Sequence, residues 1–195
     1  MSGSNFSSIM RIIGANGFGL EEREENDYYA TDPNALELLL KEETFSRNVW
    51  EPACGGGHLA KVLVEHGYNV YATDLVDRGY GKPGIDFLKC GIPFDGDIIT
   101  NPPFKYSLEF TERALNLIPE GNKVAMFLKL TFLEGQKRRS FFKEHPPKRV
   151  YVFSKRTGCA KNGEFEKYGN RHVTAYAWYV WEKDNKEDPR IKWIN

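Results

Sequence analysis

Apolar and polar positions along this chain follow a strand rhythm and a helix rhythm in turn. Leu36, Leu38, Leu39 and Leu40 follow Asp32-Pro33, an N-cap with proline at the first helical position, and predict a helix over 33–43. Asn48-Val-Trp-Glu-Pro-Ala-Cys reads as a strand, Gly57 to His66 as a helix ended by Gly67, and Tyr68-Asn-Val-Tyr-Ala-Thr-Asp as a second strand. A short third strand is expected before Asp86, where Gly79-Tyr-Gly-Lys-Pro-Gly makes the stretch mostly loop. Asp97 to Thr100 is a fourth strand, Tyr106 to Ile118 a helix, Lys123 to Leu130 a fifth strand and Gln136 to Lys143 a short helix. Arg149-Val-Tyr-Val-Phe-Ser and Val173 to Glu182 are two aromatic, β-branched strands with a polar linker, not a helix, between them.

Alternating strands and helices imply an α/β fold with a mostly parallel sheet and helices on both faces. The last two strands imply an antiparallel hairpin added to that sheet, seven strands in all. Residues 1–27 are rich in Gly, Ser and Asn and then acidic (Glu21, Glu22, Glu24, Glu25), which predicts a mobile arm. One catalytic domain is expected over 28–182, with a polar tail over 183–195.

Asn101-Pro102-Pro103-Phe104 follows the apolar fourth strand and lies downstream of the glycine turn Cys54-Gly55-Gly56-Gly57. The Asn side-chain oxygen and the Pro102 carbonyl are both acceptors, the next proline stiffens the backbone, and Phe104 offers a face for a ring. Such a cup suits an amino group on a planar system. The glycine turn formally fits G-x-G-x-x-A, with Asp74 nineteen residues on, so a dinucleotide such as NAD is a rival ligand. A pyrophosphate favours a turn free of negative charge, whereas Glu51 stands at the start of this one.

Glu51-Pro52-Ala53-Cys54-Gly55-Gly56-Gly57, followed by Asn101-Pro102-Pro103-Phe104 and preceded by Tyr28-Tyr29-Ala30-Thr31-Asp32-Pro33, resembles the S-adenosylmethionine-dependent amino-methyltransferases. Among them it is most similar to the DNA adenine-N6 methyltransferases of phages and prophages. The resemblance covers about residues 26 to 182 and implies a Rossmann-like class I methyltransferase fold with S-adenosylmethionine as cofactor. It implies catalytic roles for Asn101, Pro102 and Phe104, and cofactor contacts from Tyr29, Thr31, Glu51, Ala53, Gly55, Gly57, Asp74, Asp86 and Phe87. In that scheme Asp74 accepts the ribose hydroxyls, Asp86 the adenine amino group, and Phe87 covers the adenine face. Asp32 stands where the family often has a second proline. Cys54 and His58 are read as packing behind the cofactor rather than as nucleophile and base. The stretch after the fifth strand resembles a loop beside the family's substrate pocket, which makes Lys129, Lys137, Arg138 and Arg139 candidate DNA contacts. Methylation of RNA adenine or of a protein glutamine, by enzymes that share the tetrapeptide, remains open. So does an inactive nucleic-acid-binding module of the same fold, against which intact Asn101, Phe104 and Asp74 speak.

Charge changes the picture only when divided along the chain. Lys and Arg balance Asp and Glu at 27 each, yet residues 121–172 hold 13 basic against 4 acidic side chains, while residues 1–100 hold 8 against 16. A basic half suggests a polyanionic partner; the alternative is that the two halves neutralise each other. The linker over 155–172, with Lys155, Arg156, Lys161, Lys167 and Arg171, is the candidate for reading a target. Three scattered cysteines (54, 90, 159) imply a reduced, cytoplasmic chain, and four histidines without ligand spacing imply no metal site. No apolar run is long enough for a membrane span, and Met1-Ser-Gly-Ser-Asn, without a basic segment leading into an apolar stretch, gives no expectation of a secretory signal. A monomer or weak homo-oligomer is expected.

Overall fold

The structure is a computed structural model that describes residues 29–155, 157, 159–161 and 174–195. Its elements run β1 (Tyr29–Thr31), α1 (Pro33–Glu42), β2 (Asn48–Glu51), α2 (His58–Glu65), β3 (Asn69–Ala72), β4 (Asp97–Thr100), α3 (Ser107–Leu117) and β5 (Lys123–Lys129). They continue with α4 (Arg139–Glu144), β6 (Arg149–Phe153), β7 (Cys159–Lys161), β8 (Tyr176–Glu182) and β9 (Arg190–Ile194). Asp32 caps α1 by accepting the Asn34 N–H at 2.9 Å, ahead of Pro33, as the sequence predicts.

Seven strands form one mixed sheet in the order β3-β2-β4-β5-β8-β6-β9. β3, β2, β4 and β5 are parallel, β8 runs antiparallel to both β5 and β6, and β9 is parallel to β6. The expected β6–β8 hairpin pairing is present, with β8 inserted beside β5 through a register from Lys123↔Glu182 to Lys129↔Tyr176.

Strand alternation divides the core between the two faces. Val124, Met126 and Leu128 of β5 join Phe110, Ala114 and Leu115 of α3 and Phe141 of α4. Ala125 and Phe127 join Leu36 and Leu39 of α1 and Leu59, Val62 and Leu63 of α2. The helices therefore cover both faces, and the buried strands are apolar on both sides, which is why they read as continuous apolar runs.

The count of seven is reached by a different strand from the one expected. Before Asp86 there is a single bridge, Thr73↔Lys82, and then a 3-10 turn over Phe87–Lys89. Gly79, Gly81 and Gly84 all have positive φ (77°, 68° and 77°), and Pro83 lacks an N–H, so this stretch cannot run as a ladder. The seventh strand is β9, inside the region expected to be a polar tail. The arm over 1–27 lies outside the described residues.

One buried charged cluster joins the acidic and basic halves. Glu43 accepts from Arg149 through Nε and Nη2, from Lys123 Nζ at 3.0 Å and from Tyr151 Oη at 2.7 Å. Burial alone would raise its pKa, but these donors outweigh burial and hold it below the ordinary carboxylate value. Lys148 pairs with Glu182 at 2.6 Å. Part of the basic excess over 121–172 is thus spent inside the fold.

Candidate active site

Parallel strands that end side by side leave a crevice at their carboxyl ends. Here β2, β3 and β4 open into a cavity of about 440 Å³, and its wall includes Glu51, Asp74 and Asn101 from the turns that follow them. Of the sixteen residues the sequence singles out, ten line it: Tyr29, Thr31, Glu51, Ala53, Asp74, Asp86, Phe87, Asn101, Pro102 and Phe104.

The glycine turn shapes this wall without lining it. Gly55 and Gly57 have φ of 52° and 78°, and the Gly55 N–H donates to Asp74 Oδ2 at 2.8 Å. A Cβ on Gly57 would stand 2.4 Å from the Tyr80 ring, because the 79–82 loop folds back over the turn. Asp74 Oδ1 accepts the Val76 N–H at 2.9 Å. Asp74 therefore ties the second strand's end to the glycine turn, and each of its oxygens has a second lone pair for a ligand.

Glu51 closes β2 and is 2% exposed. Its Oε2, like Thr31 Oγ1, has no hydrogen-bond partner among the described residues. Burial, with the charge of Asp74 adding to it, raises the Glu51 pKa well above the ordinary carboxylate value, against a lowering bond from the Ala60 backbone. A buried acceptor facing a cavity calls for a cationic or N–H donor from a ligand. Burial, reinforced by Glu51 and Asp74, pushes the Cys54 thiol up to about 12, so it is inert as a nucleophile. His58 is held below its usual pKa by burial and by Lys61, which suits a neutral wall residue.

Asp86 lines the cavity while capping its own turn: Oδ1 accepts the Leu88 N–H at 3.1 Å and Oδ2 meets Lys89 Nζ at 2.9 Å. The Lys89 bond keeps its pKa below the ordinary value. Phe87 is 2% exposed and packs edge-on to Trp50 at 5.1 Å, so it is a core residue as well as a wall.

Across from the acids, Asn101 leaves β4 and its Nδ2 donates to the Tyr29 carbonyl at 2.8 Å. Pro103 extends the chain into the 3-10 turn at Phe104–Tyr106. The Phe104 ring neighbours those of Tyr29 (6.2 Å) and Tyr176 (5.7 Å), with Lys129 Nζ 4.8 Å from its centroid. Tyr176 in turn stacks on Phe127 at 5.1 Å.

The basic candidates separate. Lys129 stands at the aromatic row. Arg138 is committed to the fold, donating to the carbonyls of Thr131, Phe132 and Glu134 and lying over the Phe132 ring. Arg138 thereby braces the turn after β5. Lys137 and Arg139 are exposed, and none of these four lines the cavity. Most of the 155–172 linker lies outside the described residues, apart from 155, 157 and the backbone of β7, which pairs with β1 through Tyr29↔Lys161, Ala30↔Ala160 and Thr31↔Cys159.

The sequence reading missed Tyr176, Tyr80, Lys105 and Tyr106. Tyr80 carried a signal, an aromatic between two glycines; Tyr176 carried none, because its place depends on β8 pairing with β5.

No protein-family model matches the sequence, and no curated protein matches it. Solved structures do match. A protein described as a class I S-adenosylmethionine-dependent methyltransferase from Listeria monocytogenes superposes with TM-score 0.58 at 13% identity, over 96% of this chain and 72% of that one. The fold is that of the Rossmann-like class I methyltransferases. A protein described as an RNA methyltransferase from Pyrococcus horikoshii gives 0.55 at 16%, over 91% and 98%. One described as a modification subunit of a type I restriction enzyme from Vibrio vulnificus gives 0.57 at 11%, over 96% and 50%. No helix among the described residues is long and apolar enough to cross a membrane, and they contain no cluster that could hold a metal ion.

Proposed function

We propose that this chain is an S-adenosylmethionine-dependent methyltransferase acting on the N6 amino group of adenine in DNA. The observation that carries the reading is Asn101, held by the Tyr29 carbonyl at the end of β4, beside Phe104 and in one cavity with Glu51 and Asp74. The cofactor's needs fit the residues present. Its ammonium answers Glu51 Oε2, which has no partner among the described residues, and its ribose hydroxyls answer Asp74 at the end of β3. A dinucleotide pyrophosphate would meet both acids at the glycine turn, whose Lys61 is already bonded to the Gly56 carbonyl at 3.2 Å.

S-adenosylmethionine, when bound, supplies an electrophilic methyl group on a good leaving group. The chain's task is then to improve a poor nucleophile. The amine lone pair of adenine is delocalised into the ring; acceptors at Asn101 and the Pro102 carbonyl draw its hydrogens out of plane and favour the charge that develops on nitrogen. Phe104 and its aromatic neighbours give the base a stacking face once it has left the duplex. Glu51 and Asp74 would hold the cofactor, whose sulfonium would give up the methyl group to the amine and leave as a thioether, with the amine proton passing to solvent. No side chain need act as a covalent nucleophile, in keeping with the inert Cys54. Alignment does the rest.

DNA is favoured by the exposed Lys137 and Arg139 and by Lys129 at the aromatic row. Incubation with tritiated cofactor and DNA, RNA or protein, followed by digestion, tests the reading: label in N6-methyladenine from DNA is expected. Label in RNA or in protein glutamine alone moves the substrate, and none at all refutes transfer.

A further inference from the structure

We infer that the main-chain carbonyl of Tyr29 is the positioning group of this site: it selects the orientation of the Asn101 amide and so restricts residue 101 to a side chain that both donates and accepts. The inference rests on the methyltransferase reading above and adds a component to it. An Asn amide has two ends of nearly equal shape and opposite hydrogen-bonding sense. An amine presented for methylation needs the oxygen; the NH2 end in its place would confront it with a second donor. Nothing in the tetrapeptide decides between the ends. The bond from Asn101 Nδ2 to the Tyr29 carbonyl, 2.8 Å and spanning 72 residues, does decide, because the donor end is taken there and the oxygen is turned the other way.

Tyr29 is itself fixed from two sides. Its ring lies 6.2 Å from Phe104 at an interplanar angle of 28°, and its backbone belongs to β1, paired antiparallel with β7 from Tyr29↔Lys161 to Thr31↔Cys159. β7 lies within the basic linker that joins β6 to β8. The segment that closes the cavity and the segment proposed to meet the substrate thus share one two-stranded ribbon, and its carbonyl sets the geometry of the acceptor. Tyr29 acts through Asn101 and is a positioning residue.

Asn101→Asp tests this, since it preserves shape and removes only the donor. At neutral pH a carboxylate would set an oxygen against the Tyr29 carbonyl oxygen. When protonated, its O–H can donate to Tyr29 while its C=O accepts from the amine. The cavity's other ionisable groups are Glu51, His58, Asp74, Asp86, Arg78 and Lys105, with Lys89 at the Asp86 turn and Lys129 over Phe104. Tyr29 and Tyr106 also line it, and Cys54 stays protonated. The wild type carries the same groups, so the rate is read as the ratio of variant to wild type at each pH. The expected result is a kcat down about ten- to hundredfold at pH 8, losing the Nδ2 bond and adding repulsion. The ratio should climb as pH falls through a single protonation, while calorimetric affinity for S-adenosylhomocysteine stays within about twofold, since the change is confined to the amine side. An Asp variant as fast as wild type at pH 8, or a ratio flat with pH, overturns the inference and leaves the methyltransferase reading standing. A wild type that methylates no nucleic acid or protein overturns both. Loss of cofactor affinity along with rate assigns Asn101 to the fold of the site and also overturns the inference.

Discussion

Replacing Glu51 by Gln should stabilise the protein without cofactor and weaken its hold on the cofactor. Glu51 is 2% exposed, its Oε2 has no partner among the described residues, and burial with Asp74 raises its pKa well above the ordinary value. The sign follows. Between the ordinary carboxylate pKa and the raised folded one, the folded protein keeps a proton that the unfolded chain has released. Stability from this group is therefore full at low pH and is lost as pH rises, by about 1.4 kcal/mol for each pH unit in that window. For a chain of this size each kcal/mol moves Tm by about 2–4 °C. Glu51→Gln has no proton to lose. The two proteins should melt together near pH 5, and the variant should gain roughly 3–6 °C per pH unit through the window. With S-adenosylhomocysteine, which carries the same ammonium, the order reverses. The variant loses a charge-assisted bond of about 1.5–3 kcal/mol, which lowers affinity by roughly ten- to hundredfold. Melting curves from pH 5 to 9, with and without S-adenosylhomocysteine, and calorimetry at pH 8 measure both. A difference in Tm that does not change with pH, or equal affinity in the variant, would refute the reasoning.

Asp74→Asn should cost about 2–3 kcal/mol of cofactor binding through lost ribose bonds. It should also lower Tm without ligand, since Asp74 accepts from both Gly55 and Val76; calorimetry and melting separate the two effects. Arg138→Ala should lower Tm without altering the salt dependence of DNA binding, because its guanidinium is bonded to three carbonyls. Lys137→Ala with Arg139→Ala should do the opposite, making the log–log salt slope shallower by about one to two at roughly 0.9 per phosphate. Titrations of fluorescent duplex over a salt series decide between them; an unchanged slope in the double variant would leave those side chains as solvated surface.

The site was legible wherever chemistry and local sequence coincide. Glu51, Asp74 and Asn101 each end a strand that its own apolar run announces, and parallel strands that end together bring their turns together. Asp86 and Phe87 also reached the cavity, but the structure gives both a second duty, as a cap bonded to Lys89 and as core against Trp50. Long-range pairing was not legible. That β8 lies beside β5, and so brings Tyr176 to Phe104, is encoded in no window of the sequence. β9 escaped because Arg190-Ile-Lys-Trp-Ile does alternate, yet Ile191 and Trp193 stay exposed while Ile194 alone is buried. The charge division misled in part: Lys123 and Arg149 close on Glu43, as expected when the two halves of a chain neutralise each other, and Lys148 is taken up by Glu182, which lies outside both.

The central claim is transfer of a methyl group to an amine held at Asn101. The most direct measurement incubates the wild type and Asn101→Ala with tritiated S-adenosylmethionine and duplex DNA, RNA or protein, and resolves the digested products by chromatography. The account predicts label in N6-methyladenine from DNA with the wild type, and its loss in Asn101→Ala although that variant still binds S-adenosylhomocysteine. Label in any product that survives Asn101→Ala, or no label from the wild type on any substrate, would contradict it.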